Sequence, residues 1–362
     1  MPTYLPSFNL ITSVHVELTD KCNAECPCCV RRINGGSLRS IIKNVELDVN
    51  YFAQLLGDTF CSKIQQWDFC GTKGDPIACT KLIEICKYLL SVNPTTSISV
   101  RTNGGFRSIA WWTELGNLFN NTNCEVWFGI DGLEDTNHLY RKNVKWSKVW
   151  ENLMAYVATG AKTVWQFLPF EHNEHQQADI ENICKQYNIT LFVAEPFGFG
   201  VALDKSIQPI NVYDRDDNFI YQIWPARMQQ QGLVKGVLLP GIGNPVEDID
   251  NSIQWLNVNK GDYDISCKIG VEATNLYIDC NGAILPCCYI GAGVGYNDDK
   301  QLLETFKNIE KFIPTSENTV SKILNNEYFT QTLQNGITGD LPSTPVYMGK
   351  CLETCGACVS DK

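Results

Sequence analysis

Apolar and polar residues alternate in short runs along the first 205 positions, and longer segments with helical periodicity separate these runs. Six runs have the alternation and composition of strands: 13–19, 64–70, 97–103, 124–131, 163–170 and 189–195. The amphipathic helical segments between them are roughly 46–57, 77–92, 108–120, 146–159 and 174–187. Strands that alternate with helices predict an α/β fold with a parallel sheet and right-handed crossovers, either open or closed into a barrel.

The two faces of the predicted strands differ in polarity. In the first strand Val14, Val16 and Leu18 alternate with polar residues, and the third and fourth strands repeat this pattern. An open sheet covered by helices on both faces would have nearly continuous apolar strands. One polar face therefore favours a partial (β/α)6 TIM-like barrel with room for ligands, unless the polar residues are solvated strand ends. The candidates for the barrel interior are His15, Glu17, Arg101, Trp127 and Asp131.

Composition narrows the function classes. The 362 residues are 44% hydrophobic, which is ample for a core, and the formal net charge is -11. A negative chain without Lys/Arg-rich runs makes nucleic acid a poor partner. No apolar run approaches the roughly 20 residues of a membrane span. Because MPTYLPSFNL also lacks the basic start of a signal peptide, we expect a cytoplasmic protein.

Seventeen cysteines are many for a reducing compartment, and they crowd toward the two ends of the chain. Because such compartments disfavour disulfides, metal or cluster binding is the better interpretation of the crowded sets. The scattered cysteines have apolar neighbours and are interpreted as small buried hydrophobic residues. They are Cys61, Cys70, Cys79, Cys86, Cys124 and Cys184.

The stretch CNAECPCC places Cys22, Cys26 and Cys29 in a loop after the first strand. In parallel barrels, the ends of the strands form the face that binds ligands. The C-x3-C-x2-C spacing allows one loop to bind an iron–sulfur cluster through three thiolates and to leave one iron open for a small chelating substrate. A structural zinc site would normally be closed by a fourth residue. Cys28 is the alternative fourth ligand, although adjacent thiols rarely reach the same cluster.

Four segments in order resemble motifs of the radical S-adenosylmethionine (radical SAM) superfamily. They are the cysteine loop, FCGTKGDP with Gly71, Gly74 and Asp75, RTNGG at 101–105, and GIDGLEDTNHLYR at 129–141. Each segment follows a predicted strand, and the resemblance covers residues 12–175. The sequence departs from the family pattern at Cys28, where a bulky apolar residue is common, and at Gly129, where serine is frequent.

The resemblance implies that the three loop cysteines hold a catalytic 4Fe-4S cluster and that SAM binds beside it. The implied SAM contacts are Gly71, Gly74, Asp75, Asn103, Asp131, Arg141 and Gln166. Asp75 would accept from the SAM ammonium group, Asp131 from the ribose hydroxyls, and Arg141 would pair with the carboxylate. Asp75, Asp131 and Asn103 each precede a proline or a glycine, so all three also suit turns.

The C-terminal cysteines resemble the SPASM/twitch extension, which carries auxiliary iron–sulfur clusters in many radical SAM enzymes. NLYIDCNGAILPCCYIG follows Cys267, and GKCLETCGACVSDK ends the sequence. The segment LYIDCNGAILPC predicts a β-hairpin with an Asn-Gly turn, which would set two ligand-bearing segments side by side. Zinc is the alternative metal, because a C-x3-C-x2-C spacing near a terminus also suits zinc. The predicted auxiliary ligands are Cys267, Cys287, Cys351, Cys355 and Cys358.

Five such thiolates favour the shorter, twitch-like arrangement with one auxiliary 4Fe-4S cluster. Cys267, Cys287 and Cys355 are its first three ligands. Either Cys351 or Cys358 completes the four.

Two other pairs have weaker metal-binding patterns. Cys280 and Cys288 are doubtful extra ligands, and Cys288 should point away from Cys287 if both lie on a strand. His172 and His175 would share a helix face, but without a third ligand nearby they are expected to begin a helix or to approach the active site.

The predicted organisation is a radical SAM core over 1–205, a bridging or substrate-contacting segment over 206–265, and an auxiliary cluster domain over 266–362. The resemblance implies reductive cleavage of SAM to a 5′-deoxyadenosyl radical, which abstracts hydrogen from a peptide or protein side chain, or from a small alcohol or amino sugar. An external reductant such as flavodoxin or ferredoxin would supply the electron. The alternative is a non-catalytic iron–sulfur electron-transfer protein or a zinc-organised binding protein.

Overall fold

The six predicted strands are present, each somewhat shorter than its apolar run. The protein was analysed as a computed structural model, which describes residues 8–196, 198–201, 207–227, 263–265, 275–293, 307–333, 335 and 356–358. The strands pair in parallel in chain order. They are β1 Ser13–Val16, β2 Gln66–Phe69, β3 Ser97–Thr102, β4 Glu125–Gly129, β5 Lys162–Phe167 and β6 Thr190–Val193.

Two strands from the C-terminal part of the chain extend the same sheet. When all strands are numbered in chain order, these two are β12 and β13. β12 (Asn275–Ile278) pairs in parallel with β1, and β13 (Ile284–Leu285) pairs antiparallel with β12. The order across the sheet is β13-β12-β1-β2-β3-β4-β5-β6. The predicted hairpin is therefore present, and it belongs to the main sheet. The division of the chain near residue 266 stays a prediction.

Three short antiparallel ladders lie outside this sheet. They are β7 Gly200–Val201 with β8 Ile207–Gln208, β9 Ile210–Tyr213 with β10 Phe219–Ile223, and β11 Tyr263–Ile265 with β14 Gly356–Cys358.

Helices connect the strands of the sheet as predicted. The α-helices are α1 Asp58–Cys61, α2 Leu82–Val92, α3 Ile109–Phe119, α4 Asn137–Tyr140, α5 Trp146–Val157, α6 Gln177–Tyr187, α7 Cys288–Gly293 and α8 Val320–Leu324. π-Helices cover Tyr51–Gly57 and Tyr328–Thr332, and 3-10 turns cover Pro76–Ala78, Glu174–Gln176 and Ile309–Phe312. None of these described helices is long and apolar enough to cross a membrane.

The helix predicted over 46–57 begins later than the pattern indicates. The first residues of the predicted helix instead pair with the segment that follows β1. The Leu47 N–H donates to the Leu18 carbonyl oxygen at 2.8 Å, and the Asp20 N–H donates to the Val45 carbonyl oxygen at 3.3 Å. A local apolar pattern does not reveal this pairing between distant segments.

The sheet has one apolar and one polar face. On the apolar face Val14, Trp67 and Val100 are fully buried beneath the helices. On the other face His15, Asp68, Arg101 and Trp127 are half-buried. The α/β class and the mostly parallel sheet are confirmed, whereas closure into a partial barrel stays a prediction. The scattered cysteines that lie buried in the core are Cys61, Cys79, Cys86, Cys124 and Cys184, while Cys70 is half-buried.

Candidate functional site

The loop that carries Cys22, Cys26 and Cys29 leaves the carboxyl end of β1. A buried carboxylate fixes its start, since Asp20 accepts hydrogen bonds from the backbone N–H groups of residues 43–45 at 2.6, 3.1 and 2.8 Å. Cys26 is buried, and Cys22 and Cys29 are half-buried. One anchored loop thus presents three thiols at a strand end.

The three thiols lie within electrostatic range of one another. Burial raises the pKa of Cys22 above its usual value, and the charges of Asp75 and the other two thiols raise it further. Burial also raises the pKa of Cys26 to about 11 and that of Cys29 above its usual value, although the charge of Arg141 lowers both. Three mutually repelling thiolates are unfavourable here without a cation, which a bound iron cluster would supply.

The donor set fits a cluster better than a single ion. Within the described ranges, no group of three or more His, Cys, Asp or Glu side chains is arranged around one metal ion. In a 4Fe-4S cube each thiolate binds its own iron, so the three thiols need not converge on one point. A zinc site in this loop would require them to converge together with a fourth donor.

Cys28 has different neighbours from the other loop cysteines. Its thiol lies beside the Tyr140 hydroxyl, and burial together with the charges of Cys26 and Cys29 raises the pKa of Cys28 to about 12. On another side, a Cβ added at Gly198 would lie 2.6 Å from the Cys28 Sγ. These contacts are those of a packed core residue.

The Gly-rich loop over 71–75 packs directly on the start of the cysteine loop. A Cβ at Gly71 would overlap the Gly74 carbonyl oxygen, and a Cβ at Gly74 would overlap the Thr19 carbonyl oxygen. The Asp75 N–H then donates to the Lys21 carbonyl oxygen at 2.8 Å. Close backbone approach requires both glycines, within the Gly-rich loop at Gly71 and between the two motifs at Gly74.

Asp75 is buried and holds four hydrogen bonds. One carboxylate oxygen accepts from the Ile77 N–H at 3.1 Å and caps the turn Pro76–Ala78. The other accepts from the Thr102 hydroxyl at 3.0 Å and from the backbone and side-chain N–H groups of Asn103 at 2.9 and 2.8 Å. Burial raises the pKa of Asp75, and these hydrogen bonds oppose the shift. Asp75 thus fills the turn role, and its contact with SAM stays a prediction.

Asn103 links the Gly-rich loop to the cysteine loop. Besides its bonds to Asp75, its Nδ2 lies 3.0 Å from the Asn23 Oδ1 and 3.6 Å from the Cys22 Sγ. The positive φ in this stretch, 70°, belongs to Gly104 and not to Asn103. A left-handed turn therefore does not explain the asparagine, whereas its side-chain contacts do.

Asp131 and Arg141 form a buried ion pair. Asp131 is fully buried, and its carboxylate accepts from Arg141 Nε at 2.6 Å and from the Leu168 N–H at 2.9 Å. Burial disfavours the charged guanidinium, yet the charges of Asp131 and Cys26 hold the pKa of Arg141 above its usual value. Arg141 Nη1 lies 3.9 Å from the Cys26 Sγ. Both candidates thus lie beside the cysteine loop, paired with each other.

Gly129 makes room for Arg141. A Cβ at position 129 would lie 2.6 Å from Arg141 Nη2, closer than side-chain atoms normally approach. Serine is frequent at this position in the radical SAM pattern. Here the glycine leaves that space to the Arg141 guanidinium. Gln166, the remaining SAM candidate, lies on β5 opposite Gly129.

We expect Gly129→Ala to lower the free energy of unfolding by about 1–3 kcal/mol, because the added methyl group must displace a half-buried guanidinium that is paired with the fully buried Asp131. In an Arg141→Ala background the same methyl group should cost little. Urea unfolding of the two single variants and the double variant measures this coupling. Equal costs of Gly129→Ala in both backgrounds would contradict the steric account.

The half-buried face of the sheet holds a second group of predicted residues. Arg101 Nε donates to Asp68 Oδ1 at 3.1 Å, and the guanidinium carbon lies 4.1 Å from the centre of the Trp127 ring. His15 Nε2 lies 2.9 Å from the Cys70 carbonyl oxygen. This face combines charged, aromatic and hydrogen-bonding groups.

Glu17 and Asp131 are not solvated strand ends, because both are fully buried. Glu17 accepts from the Thr72 and Lys73 N–H groups, each at 3.0 Å, and from the Tyr277 hydroxyl at 2.6 Å. Sequence reasoning missed Tyr277. It lies 260 positions from Glu17, and its aromatic ring in a buried apolar strand resembles any other core residue.

The histidine pair behaves as the beginning of a helix. His175 lies in the turn Glu174–Gln176, which leads directly into α6. His172 stacks on Phe170 with the ring centres 5.4 Å apart. Burial, with smaller contributions from the charges of His138 and His175, lowers the pKa of His172 to about 4.

Only part of the predicted auxiliary site lies within the described residues. Cys280 is buried and Cys287 is half-buried. Cys288 opens α7 rather than continuing β13, so the assumption that Cys287 and Cys288 share a strand is wrong. The β12–β13 ladder ends at Leu285, before the helix begins. Outside the described residues lie Cys267, Cys351, Cys355 and the side chain of Cys358.

Comparison with known proteins gives matches among solved structures. No protein family and no curated protein matches the sequence. The chain is similar to Streptococcus suis SuiB bound to S-adenosylmethionine, with 12% identity, a TM-score of 0.51 and coverage of 95% of this chain and 77% of that chain. For SuiB bound to the precursor peptide SuiA the identity is 11%, the TM-score 0.50 and the coverage 95% and 76%.

These similarities concern the fold. The predicted resemblance is confirmed at the level of the fold, which is similar to that of the radical SAM enzyme SuiB.

Proposed function

We propose that this protein is a radical SAM enzyme. The observation that carries the proposal is the meeting of three motifs at the carboxyl ends of neighbouring strands, in a fold shared with SAM-bound SuiB. The cysteine loop contacts the Gly-rich loop through Gly74 and Asp75, and it contacts the Asp131–Arg141 pair through Cys26.

The residues of the chain bind, orient and shield the reacting groups. Cys22, Cys26 and Cys29 would hold the 4Fe-4S cluster, and Asp75 and Arg141 would receive the amino acid part of SAM. When bound, the cluster and SAM supply a 5′-deoxyadenosyl radical that abstracts hydrogen from the substrate, after one electron arrives from a reductant such as flavodoxin or ferredoxin. A reducing cytoplasm, in which thiols stay free, suits this chemistry.

The substrate would lie against the half-buried face of the sheet. We assign this face to the interior of a partial (β/α)6 barrel, because its polar side chains alternate with the buried apolar set. The Asp68–Arg101 ion pair and Trp127 would form its wall near the ends of β2, β3 and β4. Support for a peptide substrate comes from the similarity in fold to SuiB bound to SuiA. A small alcohol or amino sugar is the alternative substrate.

An auxiliary 4Fe-4S cluster would assist oxidation or bond formation, as in an oxidoreductase or maturase. Support comes from the β11–β14 ladder, in which Ile265 pairs with Gly356. Along the sequence, Cys267 follows Ile265 by two positions and Cys355 directly precedes Gly356. The proposed ligands are Cys267, Cys287, Cys355 and one of Cys351 and Cys358.

Metal analysis after anaerobic reconstitution separates this proposal from its alternatives. We expect acid-labile sulfide and iron in equal amounts, and an electron paramagnetic resonance signal that changes when SAM is added to the reduced protein. A protein that takes up zinc alone would be a zinc-organised binding protein. An iron–sulfur protein whose electron paramagnetic resonance signal does not change when SAM is added would be an electron-transfer protein.

A further inference from the structure

A buried carboxylate connects the Gly-rich loop to the C-terminal hairpin. Glu17 stands just beyond β1 and is fully buried. On one side it accepts from two consecutive backbone N–H groups of the Gly-rich loop, those of Thr72 and Lys73, at 3.0 Å each. On the other side it accepts from the Tyr277 hydroxyl at 2.6 Å. One side chain thus joins the cofactor loop to the β12–β13 hairpin.

All three donors matter because the carboxylate is fully buried. A buried charge is tolerated only when its hydrogen-bonding capacity is satisfied, and bonds to a charged group are stronger than neutral ones. If the Tyr277 hydroxyl is removed, the remaining two donors must satisfy the whole charge. The position of Glu17, and through it the position of the loop backbone, then becomes less defined.

The hairpin holds Tyr277 in a fixed register. Tyr277 pairs with His15 in the parallel β1–β12 ladder, and the two rings meet edge to face at 5.1 Å. The Glu17 N–H donates to the Ile278 carbonyl oxygen at 2.9 Å. Beyond β12 the chain turns and reaches Cys287 directly after Pro286. The hairpin is therefore connected to the backbone of residues 72 and 73 through Tyr277 and Glu17.

We propose that Glu17 and Tyr277 are positioning residues, through which the C-terminal extension sets the affinity of the Gly-rich loop for SAM. The proposal rests on the proposed function, because it assigns SAM to that loop. By linkage, a change that disturbs the hairpin weakens SAM binding, and bound SAM stabilises the hairpin to the same extent. The C-terminal extension would thus regulate the binding of SAM as well as hold the auxiliary cluster.

Tyr277→Phe tests this proposal, with Tyr51→Phe as its matched control. Tyr51 is also buried, and its hydroxyl donates to the Gly282 carbonyl oxygen at 2.8 Å, so it bonds the hairpin turn and not the Gly-rich loop. Both changes remove one hydroxyl and keep the ring. Calorimetric titration of SAM into the reconstituted full chain gives the affinity, and urea unfolding gives the stability.

We expect Tyr277→Phe to weaken SAM binding about tenfold, which corresponds to about 1.4 kcal/mol, while Tyr51→Phe leaves the affinity unchanged at a similar loss of stability. Glu17→Gln should weaken SAM binding further, because the new amide N–H would face a backbone N–H donor of the Gly-rich loop. This variant is the test if Tyr277→Phe does not fold.

Three results would overturn the proposal, and they are distinguishable. Wild-type protein that binds no SAM contradicts the proposed function itself. If Tyr277→Phe binds SAM with wild-type affinity, the proposed function stands, but Glu17 and Tyr277 do not position the Gly-rich loop. Equal weakening in both tyrosine variants assigns the effect to packing of the hairpin and not to the hydroxyl on Glu17.

Discussion

Changing Cys22, Cys26 and Cys29 together to alanine is expected to abolish SAM cleavage. The variant should lose about four iron atoms per chain, because a 4Fe-4S cluster is held by cysteine thiolates and all three proposed ligands are removed. Iron at the C-terminal site should remain, since its proposed ligands come from residues beyond 266. Iron and sulfide analysis and the yield of 5′-deoxyadenosine measure the two effects separately.

Cys28→Ala is the matched control for this triple variant. Its thiol packs against Tyr140 and Gly198, and we do not assign it to the cluster, so the variant should keep its iron and its activity. Loss of activity in Cys28→Ala would make Cys28 a ligand. Loss of all iron in the triple variant would argue against two independent clusters.

Gly74→Ala is expected to weaken SAM binding at least tenfold and to lower the free energy of unfolding by about 1–3 kcal/mol. The added Cβ would overlap the Thr19 carbonyl oxygen, which is backbone and has little freedom to move. The neighbouring hydrogen bond from Asp75 N–H to the Lys21 carbonyl oxygen must then lengthen. Calorimetric SAM titration and urea unfolding measure the two losses.

Thr72→Ala controls for a change of side chain in the same loop. Thr72 contributes its backbone N–H to Glu17, and this bond survives the substitution. The control should therefore bind SAM with nearly wild-type affinity. If Gly74→Ala also bound SAM normally, the close contact between the two loops would not be needed for the cofactor.

The sheet could be predicted from the sequence because its strands alternate and its helices repeat every three to four residues. The cysteine loop and the Gly-rich loop could be found because their chemistry lies in contiguous residues. The hydrogen-bond partners could not. In the sequence, Glu17 carries no sign of Tyr277, and nothing near Asp131 or Arg141 indicates that the two pair with each other.

The C-terminal hairpin illustrates the same limit. The Asn-Gly pair predicts a turn, and the turn is present, with a φ of 87° at Gly282. Its parallel pairing with β1 depends on residues more than 250 positions apart, which local periodicity does not encode. The start of α7 at Cys288 was missed for a related reason, since two adjacent cysteines indicate ligands more readily than a helix boundary.

The central claim is that this chain cleaves SAM reductively at its three-cysteine loop. The direct test incubates anaerobically reconstituted, dithionite-reduced protein with SAM and measures 5′-deoxyadenosine by liquid chromatography and mass spectrometry. We expect 5′-deoxyadenosine from the wild type and from Cys28→Ala, and only background from the Cys22, Cys26 and Cys29 triple variant. Iron-loaded, reduced wild-type protein that never forms 5′-deoxyadenosine would contradict this claim.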